Sequence, residues 1–196
     1  MGQRERFKRL RRISNGRFPA LTIRVARRYL IDFPDHGLSW LLLGMALVQV
    51  SRYEEAEQAI AKSIDLSPPE KRRIPLSNMG HLFDQAGDYD QAAAWYRKAI
   101  AADPGVASGR IYLGAVLAKQ GRLHEAEEVH RAAVGCPKGC IWEAYLNLGL
   151  VLRARERFHE AADCFREAIR LNPECREARR ALRDVEYCIK WTGGRA

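Results

Sequence analysis

No stretch of this 196-residue chain is apolar for long enough to cross a bilayer. The longest run, Trp40 to Val48, covers nine residues, where a spanning helix needs about 20. The amino terminus lacks the apolar segment of a secretory signal peptide, so a cytoplasmic protein is expected. Gly2 is followed by Gln3, Arg4, Glu5 and Arg6, without the Ser or Thr that myristoylation requires. The Arg-rich, nearly acid-free start is a feature an organelle transit peptide would share, but serine and amphipathic length are sparse, so the cytoplasmic reading is the preferred of the two. Cysteine is missing from the first 135 residues, and the five that follow, Cys136, Cys140, Cys164, Cys175 and Cys188, are an odd number that excludes a complete disulfide framework. There is no nucleophile elbow, no phosphate loop and no pair of metal ligands on one helix face. His36, His81, His124, His130 and His159 are scattered, and the pair His81 and Asp84 has no pocket signature around it. Neither catalysis nor a bound cofactor or metal is expected.

What the chain does contain is a repeat. Gly44, Gly80, Gly114 and Gly149 recur at intervals of 36, 34 and 35 residues. Each is followed by an apolar residue three positions on (Leu47, Phe83, Leu117, Leu152) and by an alanine twelve positions on (Ala56, Ala92, Ala126, Ala161). Three blocks close on a proline, Pro68, Pro104 or Pro173. Self-similarity at this period is the signature of stacked helical hairpins, which bury their apolar faces on one another because no single hairpin can do so. In the first half of each block the apolar residues recur at helical spacing, and the glycine falls where a side chain would hold the two helices apart. Polar turns such as Gln85-Ala86-Gly87-Asp88 and Lys119-Gln120-Gly121-Arg122 separate the helices, glycine supplying the left-handed conformation that ends the first of them. The closing proline cannot continue the second helix.

The motif resembles that of the tetratricopeptide repeat family. Block 37–70 carries Trp40, Leu43, Gly44, Leu47, Tyr53, Ala56, Ile60 and Pro68. Block 73–106 carries Met79, Gly80, Phe83, Tyr89, Ala92, Tyr96, Ala99 and Pro104, and block 142–175 carries Tyr145, Leu148, Gly149, Leu152, Phe158, Ala161, Phe165, Ala168 and Pro173. Block 107–140 departs from the pattern: Arg110 and His130 replace aromatics, and Pro137 falls one residue early. The resemblance implies an all-α, right-handed superhelical solenoid of antiparallel hairpins, with repeats 37–70, 73–106, 107–140 and 142–175. Residues 176–196 are expected to form a capping helix and a short tail, with Ala178, Ala181, Leu182, Val185, Cys188 and Ile189 on its buried face. Residues 1–36 are expected to form a basic helix, about 3–14 with Phe7, Leu10 and Ile13, a turn at Gly16-Arg17-Phe18 and a second helix with Leu21, Val25, Tyr29 and Leu30, together a degenerate repeat.

The formal net charge of +9 is unevenly placed. Residues 1–28 hold ten Lys or Arg against one acid, whereas 29–175 carry a net of −3. An arm of Arg4, Arg6, Lys8, Arg9, Arg11 and Arg12 is of the type that binds phosphates by counterion release, or it is a solvated terminal face. Cys136 and Cys140, spaced as in some zinc sites, lack two further ligands, and Cys136 and Cys164 are expected to be small buried hydrophobes.

The resemblance further implies a non-catalytic interaction adaptor or scaffold whose concave groove, lined by the first helix of each hairpin, binds a peptide segment of a partner. The helical faces put Leu38, Leu42, Met45 and Gln49 there from the first block, and Asn78, His81 and Gln85 from the second. Tyr112, Ala115 and Lys119 come from the third, and Glu143, Asn147, Leu150 and Arg153 from the fourth. Asn78 and Asn147 precede their glycines by two residues, and an amide can pair with both backbone groups of an extended peptide. The lysine and asparagine clamp by which chaperone-tail binders of the family hold a terminal carboxylate is absent, because Leu41, Met45, Ser108 and Tyr112 occupy its places. Apolar at one end and polar at the other, the groove suits a segment with a hydrophobic anchor, unless Phe7 and Leu10 of the chain itself cover that end. Two alternatives stand beside this reading: the basic arm binds RNA or an anionic membrane surface with the repeats as spacer, or the chain is a structural subunit of an assembly.

Overall fold

The computed structural model describes residues 2–16 and 18–191, so Arg17 of the expected turn and the tail 192–196 lie outside the described residues. The described residues form eleven α-helices and one 3-10 turn, Pro69–Lys71, and their only extended pairing is a single bridge between Val106 and Lys138. Helical-hairpin repeats thus build the chain, and by contact they fall into two compact units, Met1–Ala102 and Asp103–Ala196.

The first unit holds α1 (Gln3–Ser14), α2 (Pro19–Asp32), α3 (Gly37–Gln49), α4 (Tyr53–Asp65), α5 (Arg73–Ala86) and α6 (Tyr89–Ala102). α3 pairs with α4 and α5 with α6, while α1 packs on both α2 and α3. Pro19 begins α2, where a missing N–H costs nothing, and the Asp88 carboxylate caps α6 by accepting from the Gln91 N–H at 3.0 Å. Leu10 of α1 is fully buried with Ile23, Ala26, Leu43, Leu47 and Ile60. The phenyl ring of Phe7 lies 4.5 Å from the His36 ring.

The second unit holds α7 (Ala107–Lys119), α8 (Leu123–Val134), α9 (Ile141–Ala154), α10 (Phe158–Leu171) and α11 (Arg176–Trp191). α7 pairs with α8 and α9 with α10, and α11 packs on α10. Its inner face is Ala178, Ala181 and Val185, fully or almost fully buried, flanked by half-buried Leu182, Cys188 and Ile189. The loop 135–140 answers the early Pro137 by running beside the loop before α7: Ala107 N–H donates to the Lys138 carbonyl at 2.9 Å, and Lys138 N–H to that of Gly105 at 3.3 Å.

At the centre of every hairpin the repeated glycine meets one large side chain of the second helix. A Cβ built on Gly44 would lie 2.5 Å from Ile60 Cγ1, on Gly80 2.6 Å from the Tyr96 ring, on Gly114 2.5 Å from the His130 ring and on Gly149 2.6 Å from the Phe165 ring. All are inside van der Waals contact, so the helices approach because the glycines carry nothing. Gly87 and Gly121 end α5 and α7 in the left-handed region, at φ 84° and 76°. Ser51 and Glu156 hold the equivalent turn positions with φ 58° and 62° despite carrying side chains.

Arg110, at the place of an aromatic, proves a chemical substitute for it. Trp40 Nε1 donates to the Pro34 carbonyl at 2.6 Å, and Arg110 Nη1 donates to the Pro104 carbonyl, also at 2.6 Å. Arg179 of α11 repeats the bond to Pro173 at 2.5 Å. In each case a donor six residues after the proline ties the new helix to the end of the previous hairpin, and any N–H of sufficient reach serves. The cysteine expectation needs correction. Cys136 and Cys164 are only half-buried, and Cys175 is the buried one, because Cys136 sits at the rim where Arg110 reaches its sulfur at 3.3 Å. Burial still pushes the Cys164 thiol up to about 11, so it is a poor nucleophile.

Candidate functional site

Within each unit the first helices of the hairpins carry an outward stripe. Counted from the repeated glycine, it runs through positions −6, −2, +1 and +5, which are Leu38, Leu42, Met45 and Gln49 on α3. These offsets fall on a single face at 3.6 residues per turn. Leu38 is 58% exposed and Met45 39%, and Gln49 is also exposed, while Leu42 is half-buried against the core. α1 therefore leaves Leu38 and Met45 open. On α5 the stripe adds half-buried Asn78 and His81, exposed Gln85, and Ile74, which the sequence reading passed over. Ile74 is 49% exposed and holds the position of Leu38, a match that the glycine register alone could have revealed.

Two of these polar groups are oriented by the fold. Asn78 Nδ2 donates to the Ile74 carbonyl at 3.0 Å, one turn back on its own helix. His81 Nδ1 lies 2.9 Å from the hydroxyl of buried Tyr96, whose ring packs on Gly80, so the imidazole is fixed to the hairpin core. An oriented side chain loses less entropy when a ligand arrives.

In the second unit the stripe carries half-buried Tyr112 and Ala115 with exposed Lys119 on α7, then half-buried Glu143, Asn147 and Leu150 on α9, whereas Arg153, expected there, stands at +4 and lies off the stripe. Asn147 Nδ2 donates to the Glu143 carbonyl at 2.9 Å, reproducing the Asn78 geometry one turn from its own glycine. Arg153 reaches Asp184 of α11 at 4.0 Å. Burial, and then the nearby Glu177 carboxylate, raises the Glu143 carboxyl above its ordinary value. A cation placed beside Glu143 would favour its ionised form.

The basic arm lies along α1, with Arg4, Lys8, Arg9, Arg11 and Arg12 exposed. Arg6 differs from the rest. Its guanidinium pairs with Asp32 at 2.6 Å and lies over the rings of Phe33 and Tyr29, so it fastens α1 to the end of α2. Lys8 pairs with Glu5 at 2.9 Å.

A second charged cluster, not anticipated from sequence, surrounds Glu127 on α8. Its side chain is 8% exposed and accepts from Arg131, Arg155 and Arg157, the last at 2.7 and 2.8 Å. Burial pushes the Glu127 carboxyl up, but the bonds from Arg131 and Arg157 outweigh it and hold it below the ordinary range. Its carboxylate is saturated with donors, which marks a clasp between α8 and the turn before α10.

No group of three metal-ligating side chains occurs among the described residues, and no described helix is long and apolar enough to cross a membrane. Family models described as tetratricopeptide repeat match residues 35–105, 78–139 and 142–175. The structure is similar to that of YrrB, a TPR protein with an unusual peptide-binding site, at 17% identity over 88% of this chain and 87% of that one, with a TM-score of 0.63. It is also similar to yeast Tom70, at 15% identity over 86% of this chain and 36% of that one, TM-score 0.74. The first TPR of Spaghetti (RPAP3), bound to the HSP90 peptide SRMEEVD, matches at 22% identity over 62% of this chain and 95% of its own, TM-score 0.58. At these identities the likeness is one of fold. No curated protein sequence matches the chain.

Proposed function

We propose, from the premise that the chain belongs to the tetratricopeptide repeat family, that it is a non-catalytic adaptor or scaffold gripping a peptide segment of a partner protein on the outward stripe of its first helices. The observation that carries the reading is the stripe itself. The same four register positions stay unburied on successive first helices, and in the first unit they present the large apolar side chains Leu38, Met45 and Ile74. Exposed apolar residues at one repeated position are costly to keep in water unless they are covered in use. Two fold neighbours, YrrB and the first TPR of Spaghetti, are described with a peptide-binding site or a bound peptide, which favours a peptide over other ligands.

The chemistry of the stripe narrows the partner. On the first unit an apolar anchor would sit on Leu38, Met45 and Ile74 and the Asn78 amide would hold a backbone group; on the second the Asn147 amide would do the same, and a basic residue would suit Glu143 beside Glu177. An acidic tail clamped by its carboxylate does not fit, because Leu41 is buried and Met45 is apolar where cations would be needed.

Affinity capture tests the proposal with three forms of the chain: wild type, a stripe variant (Leu38→Ala, Asn78→Ala, Asn147→Ala) and an arm variant (Arg4, Arg11 and Arg12 each changed to Glu). Truncation of α1 is unsuitable, since Leu10 is part of the core. A protein retained by the wild type and the arm variant through high salt, and lost by the stripe variant, supports the groove. Loss with the arm variant alone would transfer the function to RNA or an anionic membrane, and self-association lost with the stripe variant would make the chain a structural subunit.

A further inference from the structure

Between α1 and α2 lies a cleft of about 410 Å³ lined by Arg6, Arg9, Arg24, Val25, Arg28 and Tyr29. Four of the six lining residues are arginines, and they are not equivalent. Arg6 is held by Asp32. Arg9, Arg24 and Arg28 are exposed and have no carboxylate within ion-pair distance among the described residues. The neighbouring Arg27 provides the contrast, since it is paired at 2.5 Å with Glu55. On α2, then, the arginine turned toward α4 is neutralised, and the two that line the cleft with α1 are left bare.

Clustering bare guanidinia has a cost, because each repels the others and a single acid, Glu5, occurs among residues 1–28 and is taken by Lys8. Tyr29 is 2% exposed and its hydroxyl is closed off from solvent, so the tyrosine gives the cleft an edge of wall and no hydrogen bond. The remaining lining is apolar, from Val25 and the Tyr29 ring, and guanidinium planes can themselves stack on a flat group.

We infer that this cleft is a binding site for a small organic phosphate of nucleotide type, with two or more negative charges gripped by Arg9, Arg24 and Arg28 and the flat body resting on Val25 and the arginine planes. The volume lies within the roughly 300–1,000 Å³ of small-molecule sites. Bidentate pairing of guanidinium with phosphate is the strongest polar contact that these side chains can offer. The site is separate from the stripe on the first helices, and neither depends on the other.

The probes are ADP, adenosine and inorganic pyrophosphate, each titrated calorimetrically into the full chain at low salt. ADP is expected to bind, pyrophosphate more weakly and adenosine not measurably. Arg24→Glu with Arg28→Glu should weaken ADP by about tenfold or more, as loss of even one charge-assisted bond would. Arg11→Glu with Arg12→Glu, outside the cleft, should leave it intact. If the double charge reversal lowers helicity, Arg24→Gln with Arg28→Gln replaces it. Absence of ADP binding overturns the inference, and so does an equal loss from the Arg11 and Arg12 changes, which would mean diffuse attraction. Binding of a single-stranded RNA or of phosphatidylserine vesicles in preference to ADP would equally overturn it, assigning the arginines to a macromolecular surface instead.

Discussion

The imidazole of His130 occupies the space into which a side chain on Gly114 would project, its Nε2 2.5 Å from the place of that missing Cβ. His130 is 1% exposed, its Nδ1 has no partner, and burial pushes its pKa from the ordinary 6.5 down to about 4. It stands where the other hairpins have Ile60, Tyr96 and Phe165, and it serves there as a neutral, ring-shaped filler.

That substitution carries a pH dependence. Because the folded pKa is the lower one, the unfolded chain takes up the proton first as pH falls. Stability is therefore at its full value above pH 6.5 and declines as pH drops toward 4, by about 1.4 kcal/mol per unit at the steepest. Urea melts across this range should show the decline in the wild type and lose most of it in His130→Phe. The same change removes an unpaired buried nitrogen, so it should raise stability at neutral pH by about 1 kcal/mol. Equal slopes in the two proteins would reject this account.

Gly149→Ala should destabilise by about 1–3 kcal/mol, the usual cost of overpacking. The new methyl would meet the Phe165 ring, which is fully buried and has nowhere to retreat. Chemical denaturation would measure it, and a change within error would show that the helices can slide apart at no cost.

The turns offer stabilising changes. Ser51 and Glu156 adopt positive φ, which costs an L residue about 1–2 kcal/mol, whereas glycine there forfeits only about 0.5–1 kcal/mol of chain entropy. Ser51→Gly and Glu156→Gly should each gain up to about 1 kcal/mol, and Gly87→Ala and Gly121→Ala should lose a similar amount. Thermal melts of the four single variants would check both signs.

Glu127→Gln should lower the melting temperature more than Glu55→Gln does. Glu55 pairs with Arg27 and Arg52 at a surface where exposed ion pairs contribute little, whereas Glu127 is shielded and its loss takes the carboxylate from Arg155 and one of two from Arg157. Since its carboxyl is held below the ordinary range, the clasp contributes above the usual carboxylate pKa and is lost as pH falls through the depressed value. Melting both variants at neutral pH separates the two effects.

The sequence by itself determined the hairpin repeat, its period and the face each first helix turns outward. These follow from local spacing: glycine, alanine and apolar residues at fixed offsets leave one way to bury the apolar stripe, and the left-handed turns at Gly87 and Gly121 are written in single residues. Tertiary structure alone decided which charges are spent. Arg6, Arg9, Arg24, Arg27 and Arg28 are indistinguishable in a string of letters, yet one is paired with Asp32, one with Glu55, and three are left bare in the cleft between α1 and α2. The same holds for Arg110, which replaces the hydrogen bond of Trp40, and for Glu127, whose three arginines lie from four to thirty residues away. Apolar burial is periodic and so legible along the chain. Ion pairing depends on which long side chains meet across different helices, and only the packed fold brings them within a few ångströms.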